Sequence, residues 1–276
     1  MNIQKSCFGI FPETAIEPEA LVKYRKGLEK YSTYVICMTP RSGSSYLADL
    51  LKKTGYLGQP GEFLNFNLAG RTIARLADEK IELRNILQYM TWLLKCRATK
   101  NCVFGVKASY WQFAPFINTG LDATLFGSPR LFRLQRRNLV KQGISLFIAT
   151  QTKRFHSVSN PKDAKEAPDY NDDKIRHWIQ HIYTQEQGWS RYFSERKLAP
   201  LVIEYDDLSA DADPVLRLIS SQLGFTEKRP AADGLSKHTK IGDRRSEEFF
   251  AMFTESPANL EYLAGLGISN ERLTGL

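Results

Sequence analysis

Residues 34–54 read YVICMTPRSGSSYLADLLKKT, and the order of features in this stretch decides the fold. Tyr34 to Thr39 is a short apolar run of the kind that forms a buried strand, and Pro40 ends it. Arg41, Ser42, Gly43, Ser44 and Ser45 follow as a turn. Tyr46 to Thr54 then places apolar residues at helical spacing, with Gly55 as the stop. A strand, a small-residue loop and a helix start together make an anion-binding arrangement. The helix start offers unpaired N–H groups and a positive dipole end, Gly43 permits a tight turn, and the serines add hydroxyl donors. Arg41 adds a permanent charge with a planar donor fork. Two other readings stay open on these residues alone. One is a P-loop phosphoryl-transfer enzyme such as a kinase, although the first Gly and the Lys-Ser/Thr pair of G-x-x-x-x-G-K-[ST] are absent. The other is a serine N-cap on an ordinary helix.

Working outward, the chain alternates strand and helix patterns. Val103–Ala108 and Arg130–Leu134 read as strands two and three, and Leu201–Tyr205 as the fourth. Helical spacing runs through 46–54, 81–100, 138–152, 174–197 and 214–223, with a last helix from Ser246. The 174–197 stripe of Ile175, Trp178, Ile179, Ile182, Trp189 and Phe193 is the clearest, and marks a core face. This alternation implies an α/β fold, a P-loop-like three-layer sandwich whose central, mostly parallel sheet is flanked by helices. The polar segment 156–173, with Pro161 and Pro168, reads as a long loop and a candidate acceptor-side lid. It is too short to divide the chain, so residues 1–276 are expected to form a single domain.

Composition bounds the function. The chain has 276 residues, 42% hydrophobic and 25% charged, which are ordinary globular values that argue against wholesale disorder. No apolar run approaches the ~20 residues of a membrane helix. Residues 1–31 hold no apolar block of leader type, so a cleaved signal is not expected. The formal charge is +8. Residues 83–162 carry thirteen Lys and Arg against Asp122 alone, a local +12, while the remainder sums to −4. Such an excess suits an anionic partner, a nucleotide or nucleic acid among them, or simply a solvated basic face. Cys7, Cys37, Cys96 and Cys102 form no C-x-x-C, and scattered thiols of this kind predict a reducing, cytoplasmic setting. His177 and His181 are four apart, but the H-E-x-x-H pattern is absent and no metal is expected.

The loop Thr39-Pro40-Arg41-Ser42-Gly43-Ser44-Ser45-Tyr46-Leu47 resembles the 5'-phosphosulfate loop of sulfotransferases that use 3'-phosphoadenosine-5'-phosphosulfate (PAPS). The resemblance is strongest to the bacterial trehalose-sulfotransferase-like family. Around Gly61-Glu62-Phe63-Leu64-Asn65 the chain is also similar to nodulation-factor sulfotransferases. Four further stretches follow in the family's order. These are Phe104-Gly105-Val106-Lys107; Arg136 through Ser145; Gln187-Gly188-Trp189 on to Tyr205-Asp206-Asp207-Leu208; and Asp243 through Phe249. Together they span about residues 34–250. Asn138 stands where aspartate is usual and Phe249 where tryptophan is usual. Neither change removes a proposed donor.

The resemblance implies sulfuryl transfer from PAPS to a hydroxyl of a carbohydrate or glycolipid acceptor, with PAP released. It implies that Arg41, Ser42, Gly43, Ser44 and Ser45 cradle the phosphosulfate. Arg137 and Ser145, eight apart, would bind the 3'-phosphate; Arg136 is the other candidate, and sequence does not rank the two. Lys107, at a strand end, would touch the sulfate or the acceptor. Glu62 matches the family's general base, best served by a raised pKa in a partly dry pocket. Lys240 and Arg244 fall where sulfotransferases fold a loop over the nucleotide. A homodimer stays open as the assembly. No nucleic-acid motif with interleaved aromatics is present, so nucleic acid is not the expected partner. A basic nucleotide- or nucleic-acid-binding module remains the non-enzymatic alternative.

Overall fold

The structure, a computed structural model, describes residues 10–13, 15–153, 155, 168–226, 244–268 and 272. The strands are β1 (Ser32–Met38), β2 (Val103–Ser109), β3 (Arg130–Gln135) and β4 (Leu201–Glu204). They form one sheet in the order β2-β1-β3-β4, and every pairing is parallel. Val35 is in register with Val106 on one side and Leu131 on the other.

β1 is buried from Thr33 to Met38 and β2 along its whole length, which explains why both read as unbroken apolar runs. Successive side chains still go to opposite faces. Val35 and Cys37 join Phe104, Val106, Phe113 and Trp189 in one core layer. Tyr34, Ile36 and Met38 join Leu47, Leu50, Leu51, Phe132, Leu216 and Ile219 in the other.

The helices covering these faces are α1 (Pro18–Leu28), α2 (Ser44–Lys53), α3 (Phe66–Asp78), α4 (Ile86–Arg97), α5 (Tyr110–Thr119), α6 (Leu121–Phe126) and α7 (Leu139–Thr152). After them come α8 (Asp172–Glu195), α9 (Tyr205–Ala210), α10 (Ala212–Gln222), α11 (Arg244–Glu255) and α12 (Pro257–Gly265). α7 and α8 lie side by side because Gly143 leaves room: a Cβ there would come within 2.4 Å of Ile179 Cγ1. Ile144, Phe147, Ile175, Ile179, Phe249 and Phe253 make a third apolar cluster, away from the sheet.

Several boundaries differ from the sequence expectation. The 81–100 helix begins only at Ile86, where Asn85 caps it by accepting from the Gln88 N–H at 3.0 Å. Tyr205, read as a strand end, instead opens α9. The polar segment gives way to α8 at Asp172, capped by Asn171. Residues 156–167, most of the candidate lid, lie outside the described residues, as does Lys240. Among the described residues no helix is long and apolar enough to cross a membrane.

Candidate active site

All four strands point their carboxyl ends the same way, so the loops after β1, β2 and β3 converge at one edge of the sheet. The loop after β1 is pinned from both sides. The Trp189 indole N–H donates to the Met38 carbonyl at 3.1 Å. Buried Gln142, on α7, donates from Nε2 to Thr39 Oγ1 at 2.8 Å and to the Pro40 carbonyl at 2.7 Å. Arg41 and Gly43 both have positive φ, 64° and 88°. Glycine takes this conformation freely, whereas an arginine held in it costs roughly 1–3 kcal/mol, a strain typical of ligand-gripping turns. Gly43 is the N-cap of α2, and no side chain caps that helix. The serine-cap reading therefore fails: Ser44 and Ser45 lie inside the first turn, and the helix-start N–H groups are left for a ligand.

Three buried polar atoms around this loop have no hydrogen-bond partner among the described residues: Ser42 Oγ, Arg136 Nε and Gln142 Oε1. An unsatisfied buried group costs about 1–3 kcal/mol, so this cluster is poised for a ligand with acceptors for the first two. Arg41 donates from Nε to Ser145 Oγ at 3.1 Å and from a terminal nitrogen to the Phe155 carbonyl. Burial pushes its pKa down, and the neighbouring Arg136 charge pushes it down further. Arg136 is likewise depressed, first by burial, although Tyr205, Asp206 and Glu247 oppose the shift. Two guanidinium groups thus face one partly dry space in which an anion relieves their repulsion.

The structure separates the two arginines that sequence leaves unranked. The Arg136 guanidinium lies over the Tyr205 ring, 5.3 Å from its centroid. Its backbone carbonyl accepts from Arg272 at 2.9 Å, and Arg272 is itself paired with buried Glu186 at 2.6 Å. Arg137 turns to solvent, its side chain 38% exposed, and donates from a single terminal nitrogen to both carboxylate oxygens of Asp207, at 2.8 and 2.9 Å. Ser145, expected beside Arg137, meets Arg41. Asn138 caps α7 by accepting from the Lys141 N–H at 2.8 Å, the job an aspartate would also do. Arg244 is 94% exposed and paired with Glu248 one turn on. Phe249 fills a core position against Phe147 and Tyr170.

At the β2 side, the Gly61 carbonyl accepts from the Lys107 N–H at 3.0 Å, which brings Glu62 against the strand end. The buried Lys107 ammonium lies 3.2 Å from Glu62 Oε1 and donates to Ser45 Oγ at 3.0 Å. Asn65 and Gln112 each approach Glu62 Oε2 at 3.4 Å. Burial alone pushes the Glu62 carboxyl up, but Lys107 and the hydrogen bonds from Lys107, Asn65 and Gln112 outweigh it, leaving the pKa below its ordinary value. This corrects the raised value expected of a base. Glu62 is held ionised, so it can accept a proton but has none to donate near neutral pH.

Sequence reasoning gave no role to Gln112, Asn65, Gln142 or Tyr205. Gln112 had a local signal, since it stands three residues after Ser109 and accepts from the Ser109 N–H at 3.0 Å, as helix-start capping requires. Tyr205 had none, because its contact with Gly43 joins positions 162 residues apart. Among the described residues no three His, Cys, Asp or Glu side chains gather around a metal position. His181 instead packs against Trp111, with ring centroids 4.4 Å apart.

The chain is similar to several known proteins. The chain is 26% identical over 253 residues to the trehalose 2-sulfotransferase of Mycolicibacterium smegmatis, covering 79% of this chain and 92% of that one. It is 24% identical over 250 residues to the trehalose 2-sulfotransferase of Mycobacterium tuberculosis, covering 78% and 92%. Among solved structures it is similar to a sulfotransferase from Alicyclobacillus acidocaldarius, with a TM-score of 0.46, 16% identity, and 84% and 95% coverage. It is also similar to the sulfotransferase domain of the Synechococcus PCC 7002 olefin synthase, with a TM-score of 0.43, 15% identity, and 82% and 95% coverage. A family model for the Stf0 sulphotransferases matches residues 33–256, and the chain, a sulfotransferase, belongs to that family.

Proposed function

We propose that this sulfotransferase takes its sulfuryl group from PAPS and transfers it to a hydroxyl of a carbohydrate or glycolipid. The observation that carries the donor assignment is the pair of buried, unpartnered donors Ser42 Oγ and Arg136 Nε beside the capless start of α2. Two anionic ends of one nucleotide answer both. Arg41, Ser42 and the N–H groups of Gly43, Ser44 and Ser45 hold the phosphosulfate. Arg136, with Ser145 close behind Arg41, takes the 3'-phosphate in preference to Arg137, which faces solvent and pairs with Asp207. The sugar acceptor is supported by the names of the two curated relatives, although trehalose itself is a property of those proteins.

In the transfer, the acceptor oxygen attacks sulfur in line with the bond to the leaving phosphate. The new S–O bond forms as the old one breaks, and the electron pair leaves with PAP. Glu62 takes the hydroxyl proton. Lys107, bridging Glu62 and Ser45, lies where the acceptor side and the phosphosulfate side meet, and its charge stabilises the transferring group. Arg41 acts as a fixed charge, because a guanidinium does not give up its proton. Positioning and charge stabilisation supply most of the acceleration.

The test incubates the protein with radiolabelled PAPS and a panel of sugars, glycolipids and simple alcohols, with PAP affinity measured by calorimetry. Labelled sugar or glycolipid together with tight PAP binding is the expected result. Absence of PAP binding would overturn the assignment of the donor, and transfer confined to non-carbohydrate alcohols would overturn that of the acceptor.

A further inference from the structure

We propose that Trp111, backed by His181 and Trp178, is the wall on which the acceptor's sugar ring stacks beside Glu62; this rests on the sulfuryl-transfer reading above. Trp111 is 50% exposed, although an indole is among the side chains that gain most from burial. It is not loose: its ring meets His181 edge to face at 4.4 Å, and His181 meets Trp178 at 5.2 Å. A braced aromatic with half its surface in solvent has a fixed free face to offer a ligand.

Its place in the fold supplies the ligand. Trp111 is the second residue of α5, and the third, Gln112, reaches Glu62 Oε2. α5 begins directly after Ser109, the last residue of β2, so Trp111 stands four residues after Lys107, at the carboxyl edge of that strand. The α8 side agrees. Trp189 meets the Met38 carbonyl at the carboxyl end of β1, and His181 precedes it by eight residues, or ~12 Å along α8. Because Phe193, further along α8, meets Arg133 within β3, while Tyr110 packs on Trp189 and Trp111 on His181, the aromatic pair stands out beyond that edge, on the side of the loops that carry the site.

A pyranose ring has an apolar C–H face and a rim of hydroxyls. Stacking the face on an indole leaves the rim for polar groups, the usual division of labour in a carbohydrate pocket. Here the rim would meet Glu62, Lys107, Gln112 and Asn65. A straight-chain alcohol presents no such face, so Trp111 selects for rings and sets acceptor affinity without touching the nucleotide.

The experiment is saturation-transfer NMR on PAP-loaded protein with trehalose and methyl α-glucoside as probes, PAP affinity being measured separately by calorimetry. Saturation of the sugar ring C–H protons is expected in the wild type, loss of it in Trp111→Ala, and retention in Trp111→Phe. In turnover with whichever sugar is sulfated, Trp111→Ala raises the acceptor KM about tenfold or more and leaves the PAP affinity unchanged. An undiminished sugar signal in Trp111→Ala, or none in PAP-bound wild type, overturns the inference while leaving the PAPS assignment standing. Failure of the wild type to bind PAP strikes the sulfuryl-transfer reading itself, and the inference falls with it.

Discussion

Lys107 is bonded to Glu62 and to Ser45 at once, 3.2 Å from the carboxylate and 3.0 Å from the hydroxyl. One buried ammonium therefore ties the start of α2 to the proposed base on the other side of the crevice. This bond helps hold the Glu62 pKa below its ordinary value against burial, which pushes it up.

Glu62→Gln keeps the shape of the side chain while removing the proton acceptor and the ion pair with Lys107. If Glu62 is the base, single-turnover transfer from labelled PAPS falls by ~100-fold or more, the ordinary contribution of general base catalysis. PAP affinity, read by calorimetry, stays within about threefold, because in the proposed mechanism the substituted group meets the acceptor and not the nucleotide. Transfer near the wild-type rate in a folded variant would sink the role.

The pH profile tests the ion pair. The carboxylate is the active form, and its depressed pKa keeps it ionised as pH falls into the usual carboxylate range. The acidic limb of kcat/KM should therefore lie below that range. In stability terms the sign is the same: a lowered folded-state pKa contributes stability above the unfolded value, lost as pH falls through the folded one. Lys107→Met removes the charge and leaves burial as the leading influence, so the acidic limb moves to higher pH and maximal activity drops. A limb that does not move would show that Lys107 does not set the ionisation of Glu62.

Arg136 and Arg137 are adjacent in sequence and opposite in situation. Arg136→Ala removes a buried guanidinium with an unpartnered Nε, and PAP affinity should fall by roughly ten- to a hundredfold, the worth of a charge-assisted hydrogen bond. Arg137→Ala breaks a solvent-facing pair with Asp207 and should change PAP affinity by less than about threefold. The reverse order of effects would return the 3'-phosphate to Arg137.

The contrast shows what sequence can carry. Local patterns placed β1, the turn and α2, because burial on both faces of β1 leaves an unbroken apolar run and the single apolar face of α2 leaves a helical period. They also placed Lys107 at the end of β2. They could not say which of two neighbouring arginines turns inward, since that depends on the Tyr205 ring and on Arg272, which are distant in the chain. Nor could they give the ionisation of Glu62, which is set by Lys107 from another element and by Gln112 from a helix whose pattern went unread. Short helices such as α5 and α6 were missed because ten and six residues leave little period to count.

Gly43 tests how tightly the two halves of the proposed nucleotide site are joined. Its φ of 88° is strained for any other L-residue, and a Cβ built there would lie 2.2 Å from Tyr205 Cδ2. The same Tyr205 ring lies under the Arg136 guanidinium at 5.3 Å. Gly43→Ala must therefore either distort the loop or push Tyr205 aside, and with it Arg136. The left-handed conformation alone costs about 1–2 kcal/mol, and the overlap adds to it. The expected outcome is a loss of PAP affinity of well over tenfold, with a lowered melting temperature. Gly43→Ala combined with Tyr205→Ala removes the overlap but not the strained φ. If the ring transmits the damage, the double variant regains melting temperature relative to Gly43→Ala, while PAP affinity stays low because Arg136 has lost the surface that aims it. Recovery of both together would mean that Tyr205 merely fills space, and that Arg136 is aimed by its backbone bond to Arg272 instead.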